Sequence, residues 1–92
     1  MRSRYSAFVL EREAYLLGTW DVRHRPEQIE FDHEVKWLGL TVKSHQIIDT
    51  DHAEVEFIAR SRLHGRASRL HEISRFERQN ERWYYVDGSL IE

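Results

Sequence analysis

Leu70-His71-Glu72-Ile73-Ser74-Arg75-Phe76 and Trp83-Tyr84-Tyr85-Val86-Asp87-Gly88 are separated by a few turn-forming residues. They read as two adjacent β-strands joined by a short turn. Their alternation predicts one face that carries Phe76 and Tyr85, with Glu72, Ser74 and Asp87 beside them. Carboxylates that share a face with large aromatics mark either a polar pocket or the rim of a core. Which of the two holds decides whether this domain has a ligand.

Outward from this pair, strand patterns recur over residues 35–48 and 53–63, with the strand pair itself read as residues 66–79 and 82–86. Turns are expected at residues 49–52, at His64-Gly65 and at Asn80-Glu81, which together give a four-stranded antiparallel meander. Register decides which side chains share a face, because a one-residue slip exchanges the two faces. Tight turns place Val42 opposite Ala59, Ser44 opposite Phe57, Phe57 opposite Glu72, and Phe76 opposite Tyr85. One face then carries Leu38, Leu40, Val42, Val55, Phe57, Ala59, Leu63, Leu70, Phe76, Trp83 and Tyr85. The other is mostly charged, with Glu54 opposite Arg75. Trp37, Ile47, Ile58, Ile73, Tyr84 and Val86 also point that way, and a homodimer through this outer face is expected.

Residues 3–20 have helical spacing: Tyr5, Phe8 and Val9 form one stripe, and Leu16, Leu17 and Trp20 a second. Glu11-Arg12-Glu13 interrupts them, so two short helices or one bent helix are expected, loosened near Gly18. Residues 21–34 read as a connector around Pro26, since the residue before a proline is pushed out of the helical region. Residues 26–31 are given one helical turn. Helical stripes laid on the apolar sheet face would close a core. The predicted fold is α+β, with N-terminal helices on a curved four-stranded meander that forms a cone with an open mouth.

A length of 92 residues suits one domain with one modest core. Charges nearly balance, to a net of −2, which gives no overall attraction to nucleic acid or anionic membrane. Without cysteine there is no disulfide, thiolate zinc site or cysteine nucleophile. No apolar run reaches the ~18 residues of a membrane span. The first residues lack a signal-peptide pattern, so a cytoplasmic location is expected.

Five ordered blocks carry a family resemblance: Met1-Arg2-Ser3-Arg4-Tyr5-Ser6-Ala7-Phe8-Val9; Tyr15-Leu16-Leu17 with Thr19-Trp20; Val55-Glu56-Phe57; Glu72 with Ser74-Arg75-Phe76; and Arg82-Trp83-Tyr84-Tyr85-Val86-Asp87-Gly88. Together they resemble the YchJ family of bacterial proteins from residue 1 to Gly88, so residues 1–92 are taken as a single YchJ-like domain. The resemblance implies a nuclear transport factor 2-like (cystatin-like) α+β fold and no particular activity. Many relatives carry cysteine-rich SEC-C zinc motifs before and after this domain. This chain has no cysteine, and zinc binding is not carried over to it. Relatives usually place an Asp-Gly type dipeptide where this chain has Asn80-Glu81. Positive φ is unfavourable at Glu81, so a longer or bulged loop is expected there.

Glu72, Ser74 and Asp87 are the first candidate site. One reading is a polar floor in which a carboxylate near Phe57 has a raised pKa for acid–base work. The favoured one is structural: Glu72 paired with Arg2 or Arg4, since a buried lone carboxylate is costly. Arg2, Arg4 and Tyr5, with Trp20 and His24, are placed at the mouth of the cone, where arginine beside aromatics suits a carboxylate or phosphate. The alternative is that Arg4 and Tyr5 anchor the helix to the sheet. The six histidines are scattered, without HExxH or i, i+4 spacing, so no metal is expected. The arginines around His64-Gly65 share their face with glutamates and read as a solvated surface. No cofactor-binding motif is visible. The leading expectation is a non-enzymatic protein-interaction or ligand-binding domain. The alternative is an acid–base enzyme of isomerase or dehydratase type, with Glu72 or Asp87 as base and Tyr85 or His24 polarising the substrate.

Overall fold

In the computed structural model, which describes residues 2–91, the interrupted helical pattern becomes two short helices, α1 (Arg2–Val9) and α2 (Glu13–Gly18). The break lies at Glu11, whose φ is +55°. There the Arg12 N–H reaches back to the Ala7 carbonyl at 2.8 Å and the Glu11 N–H to that of Phe8 at 3.2 Å. This is a Schellman closure with glutamate in the left-handed position that glycine usually fills. Residues 26–31, expected to hold a helical turn, are irregular. The connector is fastened by side chains instead. Glu13 accepts from the Ile29 N–H, Asp32 from the Glu34 N–H, and Glu11 pairs with His33.

Four strands follow: β1 (Lys36–Asp49), β2 (His52–Leu63), β3 (Arg66–Gln79) and β4 (Arg82–Leu90). They form one antiparallel sheet in the order β1-β2-β3-β4. The fold is the α+β arrangement expected, with helices over the concave face. That face is buried along the centre of β2, at Ala53, Val55, Phe57 and Ala59. Both β2–β3 and β3–β4 turn through two residues of positive φ, His64-Gly65 and Asn80-Glu81. The second turn is therefore tight, and not the longer or bulged loop expected from Glu81. Neither helix is long and apolar enough to cross a membrane.

The predicted register holds between β2 and β3, where Phe57 faces Glu72 and Glu54 faces Arg75, and at Phe76 opposite Tyr85. Between β1 and β2 it does not. Val42 faces Phe57, and Leu40 faces Ala59, because register shifts fall at Ile47/Asp49, Val42/Ser44 and Trp37/Gly39. Each shift adds a residue to β1, and each added residue exchanges the faces of the strand beyond it. His45 and Ile47 therefore lie opposite Val55 and Ala53, and Trp37 opposite Ser61, all on the concave side. Trp37 and Ile47, expected on the outer face, are corrected by these bulges. Leu38, expected in the core, sits inside one and is half-exposed.

A shift at Arg75/Phe76 does the same to β4, with Val86 as the extra residue. Asp87 thus faces Arg75 on the convex side, away from Tyr85.

Candidate functional site

The site begins with Arg4. Its side chain is 4% exposed, an unusual burial for a cation that requires compensation. Arg4 Nη1 donates to Thr19 Oγ1 at 2.8 Å and to the Leu16 and Thr19 carbonyls at 3.4 and 3.5 Å. These bonds tie α1 to the end of α2. The guanidinium carbon lies 4.5 Å from the Tyr85 ring centroid and 5.2 Å from that of Trp20, two cation–π contacts worth about 0.5–2 kcal/mol each. Among the described residues no carboxylate comes within 4 Å of Arg4. Burial lowers its pKa, opposed by the electrostatic pull of Tyr85, Tyr15 and Glu72.

Tyr85 forms the other half of this wall. Its ring meets Trp20 edge-on at 5.0 Å and Phe76 at 5.8 Å. Its backbone bonds with residues 19–21 hold that segment as a short parallel addition to β4. Burial, and secondarily Glu72, pushes its phenol pKa up to about 12, with Arg4 opposing. Tyr85 is a neutral hydroxyl at physiological pH.

Arg4 and Tyr85 line two cavities on the concave face. The larger is a trough of about 510 Å³ bounded by Arg2, Tyr15 and Thr19 on the helical side, and by Val42, His45, Ile47, Val55, Phe76 and Trp83 on the sheet. The smaller holds about 190 Å³ between Tyr5, Phe8, Trp20, Trp37, Phe57 and Glu72. Tyr5 and Trp37 close one side of it edge to face at 5.8 Å. The indole N–H of Trp20 is buried there without a hydrogen-bond acceptor among the described residues.

Glu72 is positioned by small neighbours. Fully buried Ser74 donates its hydroxyl to Glu72 Oε2 at 2.6 Å. Gly88 lies directly beneath the carboxylate: a Cβ there would come within 2.5 Å of Glu72 Cδ and Oε2. The expected ion pair from Glu72 to Arg2 or Arg4 does not form.

The structure thus gathers Arg4, Tyr5, Trp20, Phe57, Glu72 and Tyr85 around one cavity, with Ser74 behind them and Arg2 on the trough. Two expected residues are elsewhere. Asp87 is bound to Arg75 across the convex face, and His24 lies exposed 4.0 Å from Asp21. Sequence alternation missed Trp37, His45 and Ile47, because bulges are invisible to a period-two pattern. It also missed Asp21, 1% exposed, which binds the Arg23 side chain and backbone and Gln79 Nε2. The signal available was an aspartate just after a helix end with arginine two residues on, a turn pattern. Other histidines pair with carboxylates at separate places, His71 with Glu56 at 2.6 Å, His64 with Glu34 at 2.6 Å, and His52 with Asp49 at 2.8 Å and Glu77 at 3.9 Å. Among the described residues no three His, Asp or Glu side chains are grouped as metal ligands would be.

The family model described as the YchJ middle NTF2-like domain matches residues 1–88 of this chain. A UPF0225 protein of Polaromonas naphthalenivorans is 64% identical over 88 residues, covering 96% of this chain and 65% of its own length. One from Bordetella pertussis is 57% identical over 91 residues, covering 98% of this chain and 68% of its own. The chain therefore spans about two thirds of the curated relatives it matches. The solution structure of a SEC-C motif-containing protein from Rhodopseudomonas palustris superposes with a TM-score of 0.85 at 34% identity, over all of this chain and 76% of that one. The crystal structure of a SEC-C motif-containing protein from Psychrobacter arcticus gives 0.76 at 30% identity, over all of this chain and 59% of that one.

Proposed function

This chain belongs to the family of YchJ middle NTF2-like domains, and we propose that within that family it is a small-ligand-binding module whose concave face is the receptor surface. The observation that carries this reading is Arg4. A guanidinium this buried, without a carboxylate within reach among the described residues and lining two cavities, is a preorganised polar group in apolar surroundings. Ligand sites are built in this way, from an apolar enclosure and a few fixed polar groups. Tyr85 supplies a neutral donor at the same place. The duty of Arg4 in joining α1 to α2 explains why it is rigid, and rigidity lowers the entropy cost of binding.

The test is a titration of isotope-labelled protein with 1-decanol below its solubility limit, monitored by amide shifts. Shifts grouped on Val42, Val55, Phe76 and Tyr85 are expected. Shifts confined to convex-face amides such as Ile73 and Arg75, or none, would overturn the reading.

One observation favours a second reading, acid–base catalysis: Glu72 and Tyr85 share the smaller cavity, and Ser74 orients the carboxylate. In that reading Glu72 removes a proton next to a carbonyl, while the Tyr85 hydroxyl donates a hydrogen bond to the developing oxyanion. Exchange of α-hydrogens of cyclic ketones in heavy water, abolished by Glu72→Gln, is the result that would establish it. Asp87 and His24 have no part in it, given their positions.

A further inference from the structure

We propose that the larger trough is a seat for a small amphipathic monocarboxylate, with the carboxylate at the Arg2–Arg4 end and the hydrocarbon body along β1 and β2; this rests on the reading of the concave face as a ligand receptor. Three observations carry it.

The first is charge. The trough is lined by Arg2, Arg4 and His45, and among the described residues no aspartate or glutamate lines it. The whole chain has a net charge of −2, so this absence of carboxylates is local. The smaller cavity differs, because Glu72 lines it and disfavours an anion there. Complementary charge sets which ligands are accepted, and the planar guanidinium fork matches a carboxylate. Thr19 already takes one side of Arg4 through Nη1. A monoanion fits this partly occupied fork in an apolar setting better than a dianion with its larger desolvation cost.

The second is unburied apolar surface. Ile47 is 60% exposed, Tyr15 42% and Trp83 40%, and all three line the trough. The bulges in β1 turn His45 and Ile47 inward to this position. A strand read by simple alternation would have sent both outward. The third is size: about 510 Å³ lies within the ~300–1,000 Å³ of small-molecule sites.

The probes are decanoate, 1-decanol and decylamine, below their aggregation concentrations, with affinity read by amide shifts and calorimetry. Decanoate is expected to bind about tenfold tighter than decanol, and decylamine more weakly than either. Arg4 also holds the helices together, so the decisive variants are at exposed Ile47. Ile47→Glu places a carboxylate in the trough and is expected to weaken decanoate about fivefold or more with little change for decanol; Ile47→Lys is expected to tighten decanoate. Arg2→Met is expected to narrow the gap between decanoate and decanol. If decanol binds as well as decanoate and the two Ile47 variants behave alike, the carboxylate assignment is overturned and the receptor reading stands. If none of the three probes binds, the receptor reading itself falls.

Discussion

The β2–β3 pair and the two outer pairs of this sheet obey the same hydrogen-bonding rules and give opposite results. β2 and β3 run from His52 opposite Glu77 to Leu63 opposite Arg66 without a shift. Every second residue along the middle of β2 is buried as alternation requires. β1 carries three register shifts and β4 one. At each shift an extra residue exchanges the faces, which brings Trp37, His45 and Ile47 inward and sends Asp87 outward. The regular pair builds the core, and the irregular strands furnish much of the cavity lining. Bulges recur where a side chain must be re-aimed, and here they aim residues at the walls of two cavities.

The most severe way to break this comparison is to remove a side chain from each region. Phe57, 3% exposed, sits at the centre of the regular pair. Phe57→Ala is expected to cost about 3–5 kcal/mol in urea unfolding. Ile47→Ala, in the bulged strand at 60% exposure, is expected to cost under about 0.5 kcal/mol. Equal losses would mean that the bulged strand shares the core and the division is wrong.

A second test lies where β4 meets β3. Gly88→Ala drives a Cβ into the space of the Glu72 carboxylate and is expected to cost about 1–3 kcal/mol. Glu72→Ala removes the obstruction, so the double variant should recover much of that loss. A double-mutant cycle measures the coupling directly. Additive losses would show that Gly88 is required for its backbone alone.

The Asp21 network sharpens the comparison through pH. Hydrogen bonds from the Arg23 side chain and backbone, opposed by burial, hold the Asp21 carboxyl well below its ordinary 3.8. A carboxyl whose folded pKa is depressed stabilises the fold at every pH above its unfolded value. That contribution is lost as pH falls from about 4 toward the folded value. Asp21→Asn should therefore flatten the stability–pH curve below about pH 4 and lower it above. Unfolding melts across that range provide the check. An unchanged slope would show that Arg23, largely exposed, does not hold the carboxylate in solution.

Legibility in the sequence divides along the same line. Helix stripes, four strands and the pairing of β2 with β3 are legible because burial repeats with the period of the backbone. Arg4, Tyr5, Trp20, Phe57 and Glu72 were legible as cavity residues, because each lies outside the bulges or on a helix. Trp37, Ile47 and Asp87 were not: a bulge inserts one residue without a compositional mark, and every face assignment beyond it reverses until the next. Convex-face Ile58 is legible as outward, yet it is 4% exposed. Its flanks hold the Glu56–His71 and Arg60–Thr41 hydrogen bonds, which pattern reading does not foresee.

The smallest effect concerns the two tight turns on either side of β3. His64-Gly65 and Asn80-Glu81 both hold positive φ at their two central residues, with Gly65 at +78° and Glu81 at +68°. They differ in the second residue, glycine in one and glutamate in the other. An L-residue in the left-handed region costs about 1–2 kcal/mol. Glycine removes that strain but has more unfolded-state entropy to lose, about 0.4–1 kcal/mol. The difference leaves Glu81→Gly stabilising by roughly 0.5–1 kcal/mol. Gly65→Ala, the reverse change in the sister turn, should destabilise by a similar amount. Neither residue makes a side-chain hydrogen bond or ion pair among the described residues, so the backbone term is isolated. Paired denaturant melts of the two variants read it directly. If Glu81→Gly lowers stability, the Asn80-Glu81 turn is not of this type in solution, and the Phe76–Tyr85 register that supports both cavities loses its anchor.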